Sequence, residues 1–201
     1  MEFASEMLIK AKRKNLRIKE VNISYHPRIG ETKLSSFSDG WRHLKMLLLY
    51  APKYTFLVPG IILFILGWFL IISLMFGSLN LFGLKLDIHP IILGSALALT
   101  GYQLILLWLY AKTFGITHLN EQDKFVETLH RTINLEKSIS LGILFLFIGC
   151  VIAITIIIRW LNSDFGALNA IKIGMLVLTL LLMGIQTISA GFMLSILGNK
   201  R

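Results

Sequence analysis

The sequence predicts a mainly α-helical, integral membrane protein, and three observations predict it. Strongly hydrophobic residues make up 55% of the 201-residue chain and charged residues only 15%, where a soluble domain carries about 25% charge. The mean hydropathy is +0.73. Four apolar runs each reach the roughly 20 residues a helix needs to cross a bilayer with its backbone groups satisfied internally. Together these exclude an ordinary soluble enzyme, and they exclude disorder, which requires low hydrophobicity. A single cysteine, Cys150, excludes an internal disulfide framework and a cysteine-rich metal site. No secretory signal is expected, because the first 30 residues are charged rather than apolar.

The four spans are expected at about 54–76, 88–110, 138–158 and 173–197, together forming a four-helix transmembrane domain over 54–201. None carries an acidic or basic side chain in its middle. Tyr50, Tyr54, Trp108, Tyr110 and Trp160 flank them as an aromatic belt would. Pro59 falls in the first turns of the first span, where a missing N–H costs least. Gly60 with Gly67, and Gly142 with Gly149, offer positions of close helix approach. Gln103, Gln186 and scattered Ser and Thr are the polar residues of the spans, expected to bind helices together, since in lipid such groups seek one another. Cys150, in mid-span, reads as a small core residue.

Basic residues set the orientation. Eleven of the 20 lie in residues 1–53, one in loop 78–87, four in 111–137, two in 159–172, and two in the last four residues. The positive-inside rule then places both termini in the cytoplasm of a multi-pass protein of the cell membrane.

The basic segment divides into two parts, 1–35 and 36–53. Phe3, Met7, Leu8 and Ala11 recur at helical spacing over residues 1–14. Leu16 and Ile18, then Val21, Ile23 and Tyr25, alternate as in a strand, with a parity slip at Lys19–Glu20 that a bulge would absorb. One helix and one strand cannot enclose a core, so the segment reads as the edge of a larger α/β domain. A turn follows at His26-Pro27, in which Arg28, Gly30, Thr32 and Lys33 could hold a phosphate through charge and N–H groups. Residues 36–50 begin on a capping serine, Ser36 or Ser38, and place Trp41, Leu44 and Leu48 on one face beside Arg42 and Lys45. An amphipathic, basic, tryptophan-bearing helix just before a span is expected to lie in the membrane interface, with Trp41, Arg42 and Lys45 as its contacts.

Other polar groups have ordinary readings. The five histidines show no metal-ligand spacing. Asp39 and His43, four residues apart, suit a surface ion pair. Glu127 and His130 lie on an amphipathic stretch, 120–134, that suits surface packing. Ionisable groups of the kind transporters hold at membrane depth are absent from the spans.

Several stretches carry a family resemblance. The EFASEM helix, the YHPRIGETK turn, the SDGWRHL helix and the proline-bearing start of the first span occur in the order found in the C-terminal part of membrane-anchored family 2 glycosyltransferases. The YAKTFGITH and NLEKSISLG stretches are similar too, so the resemblance, to dolichol-phosphate mannosyltransferase-like or polyprenyl-phosphate sugar synthases, covers nearly the whole chain. It implies that residues 1–35 are the C-terminal edge of a GT-A domain, a short helix–strand remnant. It also implies that Arg28, Gly30, Thr32 and Lys33 face the phosphate of a polyprenyl phosphate acceptor.

The family's nucleotide-binding strands, metal-binding aspartates and catalytic aspartate have no counterpart, and no Asp-x-Asp occurs in the chain. No catalytic residue is therefore assigned. No cofactor is expected on this chain, and the family's divalent metal is expected only in a separate catalytic domain. Three origins fit: a split enzyme with a separate GT-A subunit, a truncated relic, or a start site placed too late. The expected function is the membrane-anchoring, acceptor-presenting part of a polyprenyl-phosphate glycosyltransferase, inactive alone. The alternative is a non-enzymatic four-span scaffold or lipid-translocating accessory protein. Expected partners are the lipid bilayer, polyprenyl phosphate and the GT-A subunit, with no nucleic acid.

Overall fold

A computed structural model of the chain describes residues 7–8, 10–11, 16–24, 26, 36–81, 84–119, 135–165 and 170–198. Contacts divide the chain into two units, Met1–Thr55 and Phe56–Arg201. In the first unit, residues 7–8 and 10–11 are helical, and the Leu16 N–H donates to Ala11 O at 3.0 Å. Helix α1 spans Ser36–Tyr50. Pro52 accounts for its end, since the residue before a proline is pushed out of the helical region.

Residues 16–24 differ from the expected strand: they have no strand pairing, and Leu16, Ile18, Val21 and Ile23 are all exposed. Alternating side chains make a strand only where a neighbour completes the hydrogen-bond ladder. Among the described residues no such neighbour exists.

The second unit is built from four long helices. A π-helical turn, Lys53–Leu57, leads into α2 (Val58–Met75). Pro59 explains the wide turn, because it has no N–H to return to the carbonyl of Thr55, and one π turn absorbs the missing bond. Then come α3 (Ile88–Leu119), α4 (Leu135–Asn162) and α5 (Ile171–Gly198). All four are long and apolar enough to cross a membrane. The second passes Tyr110, its expected end, and carries the YAKTFGITH stretch as helix. Gly115 alone costs only about 1 kcal/mol against continuing, and Thr113 stays in register by donating to Leu109 O at 2.8 Å.

Between α2 and α3 the loop forms a small antiparallel hairpin, β1 (Leu79–Leu81) and β2 (Leu84–Leu86), with Leu79 opposite Leu86 and Asn80 opposite Lys85.

The helices pack as a row, α2–α3–α5–α4. Lipid tails are as apolar as leucine, so close backbone approach rather than water exclusion must hold the row together. Glycines provide the approach. A Cβ on Gly67 would lie 2.6 Å from Gly94 O, and one on Gly101 would lie 2.6 Å from Gly60 O. Gly60 and Gly67 thus face Gly101 and Gly94, seven residues apart on each antiparallel helix. In the second hairpin a Cβ on Gly142 would lie 2.8 Å from Gly184 O, and one on Gly191 would lie 2.7 Å from Ser138 Cβ. Apolar contacts fill the rest: Ile71, Leu74, Ile91 and Ala98 form one cluster, and Trp108 and Leu109 another. The outer surface of α4, from Leu141 to Ile158, is mostly exposed, as a lipid-facing helix should be. Cys150 is exposed on it and is not the core residue its position suggested.

Candidate functional site

Helix α1 carries the candidate interface residues. Phe37, Trp41 and Leu44 recur at i, i+4 and i+7 and are exposed, Phe37 by 90% and Trp41 by 53%. The Lys45 ammonium sits 5.6 Å from the centroid of the Trp41 ring, one turn along the same face, within cation–π range. Arg42 reaches the Asp39 carboxylate at 4.0 Å, an i,i+3 surface pair. Asp39 thus pairs with Arg42; the His43 side chain, its expected partner, lies outside the described side chains. Such a face has an unburied apolar stripe flanked by two cations. Sinking the stripe into a nonpolar medium would gain about 1.5–3 kcal/mol for each large side chain fully buried.

Arg28, Gly30, Thr32 and Lys33 lie outside the described residues, as does the 120–134 stretch with Glu127 and His130. Among the described residues no group of three or more His, Cys, Asp or Glu side chains could hold a metal ion.

Within the four-helix unit, polar groups gather at two levels. At one end, Lys172 in the first turn of α5 pairs with Asp87 and donates to Leu74 O at 3.2 Å. Leu74 O belongs to the last turn of α2, whose carbonyls lack intrahelical partners. Asp87 immediately precedes α3, where a carboxylate complements the helix dipole. One ammonium therefore ties three helix ends.

At mid-depth, Tyr102 of α3 and Thr187 of α5 share a hydrogen bond of 2.7 Å. Thr187 also donates to Met183 O at 2.6 Å. The Tyr102 ring stands 6.0 Å from Phe64 of α2, and Phe64 stands edge-on to Trp68 at 6.3 Å. Beside this seam a cleft of about 300 Å³ is lined by Leu99, Thr100, Gln103, Leu104 and Gln186.

Comparison with known proteins places this architecture. Residues 109–198, the end of α3 with α4 and α5, match the glycosyltransferase family 2 C-terminal transmembrane region. The chain is 35% identical over 198 residues, 98% of its length, to the low-salt glycan biosynthesis hexosyltransferase Agl6 of Haloferax volcanii. It corresponds to the C-terminal membrane part of a family 2 glycosyltransferase. It spans about half, 48%, of that curated relative's length. No solved structure matches it.

In this family 2 membrane part the sequence singled out Trp41, Arg42, Lys45, Gln103 and Gln186, and the structure groups the first three on one helix and the last two at one cleft. It did not single out the Asp87–Lys172 pair or the Tyr102–Thr187 bond. Both join residues 85 positions apart, and only the packed row brings them together.

Proposed function

We propose that this chain anchors a glycosyltransferase at the membrane and presents a polyprenyl phosphate acceptor to it. The observation that carries the reading is the identity to a hexosyltransferase of glycan biosynthesis, running through 98% of the chain. The transfer joins the acceptor's phosphate oxygen to the anomeric carbon of a nucleotide-sugar and releases the nucleotide. In this reading the nucleotide-sugar and its divalent metal belong to a GT-A domain, the part that carries the family's metal-binding aspartates, and no Asp-x-Asp occurs in this chain. The chain's own contribution is to the acceptor. Arg28 and Lys33 neutralise its phosphate, with Gly30 and Thr32 supplying N–H and hydroxyl donors. Trp41, Arg42 and Lys45 hold α1 in the cytoplasmic headgroup layer, so the phosphate sits at the depth of the basic turn. Both termini face the cytoplasm, which a reporter fused to either one would show by remaining inside.

The experiment measures sugar transfer from nucleotide-sugar to polyprenyl phosphate in vesicles holding the chain with and without a GT-A catalytic subunit. The expected result is no transfer by the chain alone, transfer with the subunit, and a raised KM for the lipid in Arg28→Ala with Lys33→Ala. Full activity of the subunit without this chain, or an unchanged lipid KM in the double variant, would refute the reading. Either result would favour a non-enzymatic scaffold.

A further inference from the structure

The hairpin between α2 and α3 is amphipathic by register. Its strands pair Leu79 with Leu86, Leu81 with Leu84, and Asn80 with Lys85. Residues directly opposite one another share a face, and successive residues alternate between faces. Four leucines therefore belong to one face, and Asn80 and Lys85 to the other. The strands pair with each other, and among the described elements no helix packs broadly against them. A lone two-stranded hairpin is marginal in water and needs a layer against its apolar face.

The tethers decide what that layer is. Phe76, Gly77 and Ser78 alone separate β1 from α2, and Asp87 alone separates β2 from α3. Lys172 holds both roots, donating to Leu74 O and pairing with Asp87. The hairpin is thus fixed to the ends of two helices long and apolar enough to cross a membrane. Strands of three residues reach about 10 Å, and the polar layer on each side of the hydrocarbon is about 5–7 Å deep. A hairpin rooted there stays at the membrane boundary. Phe76, at its root, is 88% exposed, so apolar surface left uncovered by protein begins where the helix ends.

We propose that the hairpin is a membrane-interface anchor. Its leucine face rests on lipid at the edge of the hydrocarbon, and Asn80 and Lys85 face the headgroups and water. Lys85 is the one basic residue of loop 78–87, and a lysine at this level lays its stem along apolar surface with the ammonium among headgroups. The anchor fixes the depth of the α2–α3 pair from the end of α2 remote from Lys53. It does not depend on the acceptor-presenting role.

The test uses the full chain in vesicles. Cys150→Ser removes the one native cysteine, and Leu81→Cys or Asn80→Cys then carries a small fluorophore. A nitroxide on the upper acyl chain of the lipid is expected to quench the label at position 81 several times more strongly than the label at 80. Aqueous iodide is expected to give the reverse order. Equal iodide quenching of the two would put the leucine face in water, and shielding of position 81 from both quenchers would put it against protein. Either result overturns the proposal. A second measurement leaves the strands free of label, which is moved to Ser78→Cys at the root. Leu81→Ser with Leu84→Ser is then expected to raise iodide quenching there several-fold as the hairpin lifts from the lipid. Unchanged quenching would overturn the role given to the leucines.

Discussion

Replacing Gly67 by alanine should loosen the α2–α3 pair, and the structure gives both the size of the effect and its control. The added Cβ would stand 2.6 Å from Gly94 O and closer still to Ala98 N. Both are backbone atoms that no rotamer change can move. Ordinary contact begins near 3.4 Å, so the helices must separate by most of an ångström. A gap of that size forfeits a quarter to a half of each contact's dispersion energy along the seam, and overpacking of this kind costs about 1–3 kcal/mol. Gly101→Ala meets Gly60 O at the same 2.6 Å and should cost as much. Gly184→Ala should cost less, because its nearest backbone neighbour, Gly142 O, lies at 2.9 Å and its closest contact is the Leu146 side chain at 2.8 Å. Gly174, in the first turns of α5, has nothing within 4 Å. Alanine there should be neutral or stabilising, by up to about 1 kcal/mol from helix propensity. Reversible unfolding in mixed micelles would rank the four. Equal midpoints for Gly67→Ala and Gly174→Ala would refute the close-approach argument.

Lys172→Met removes the ammonium that ties three helix ends, and should lower unfolding stability by about 1 kcal/mol, since the Asp87 carboxylate is half-exposed; no loss in the same unfolding experiment would show that the tie contributes nothing. A peptide of residues 36–53 contains Trp41 as its single tryptophan, so its fluorescence reports binding to vesicles. Arg42→Ala or Lys45→Ala should each weaken binding to anionic vesicles about fivefold, from roughly 1 kcal/mol per basic residue near the surface. Binding that is equal on neutral vesicles would contradict the electrostatic part of the interface reading.

The four membrane helices were legible because each is a long apolar run, a signal that survives without tertiary information. Their lengths were less so: nothing in Ala111–Phe114 marks whether the helix stops at Tyr110, where the apolar run thins, or at Leu119, where it ends. Gly60, Gly67, Gly142 and Gly149 were readable as packing positions, but their partners Gly94, Gly101 and Gly184 depend on how two antiparallel helices slide against each other. The hairpin at 79–86 had a signal that went unread: Leu79, Leu81, Leu84 and Leu86 alternate with Asn80 and Lys85 around Phe82-Gly83. The strand pattern of Leu16–Ile23 misled for the opposite reason. Alternation records which side chains would share a face and says nothing about whether a neighbouring strand is there to pair with. In the candidate site, Trp41, Arg42 and Lys45 were legible because they lie within one helical turn of each other. The Tyr102–Thr187 bond and the Lys172 tie were not, since both depend on the order of helices in the row.

Presentation of the lipid acceptor is tested most directly by photolabelling. A polyprenyl phosphate carrying a photoreactive group beside its phosphate is added to vesicles containing the chain, and the labelled residues are mapped after illumination. Labelling concentrated within residues 26–45, and competed away by unmodified polyprenyl phosphate, is the predicted result. Labelling confined to the opposite membrane face, around 79–87 and 159–172, or labelling that polyprenyl phosphate does not compete, would contradict the proposed role.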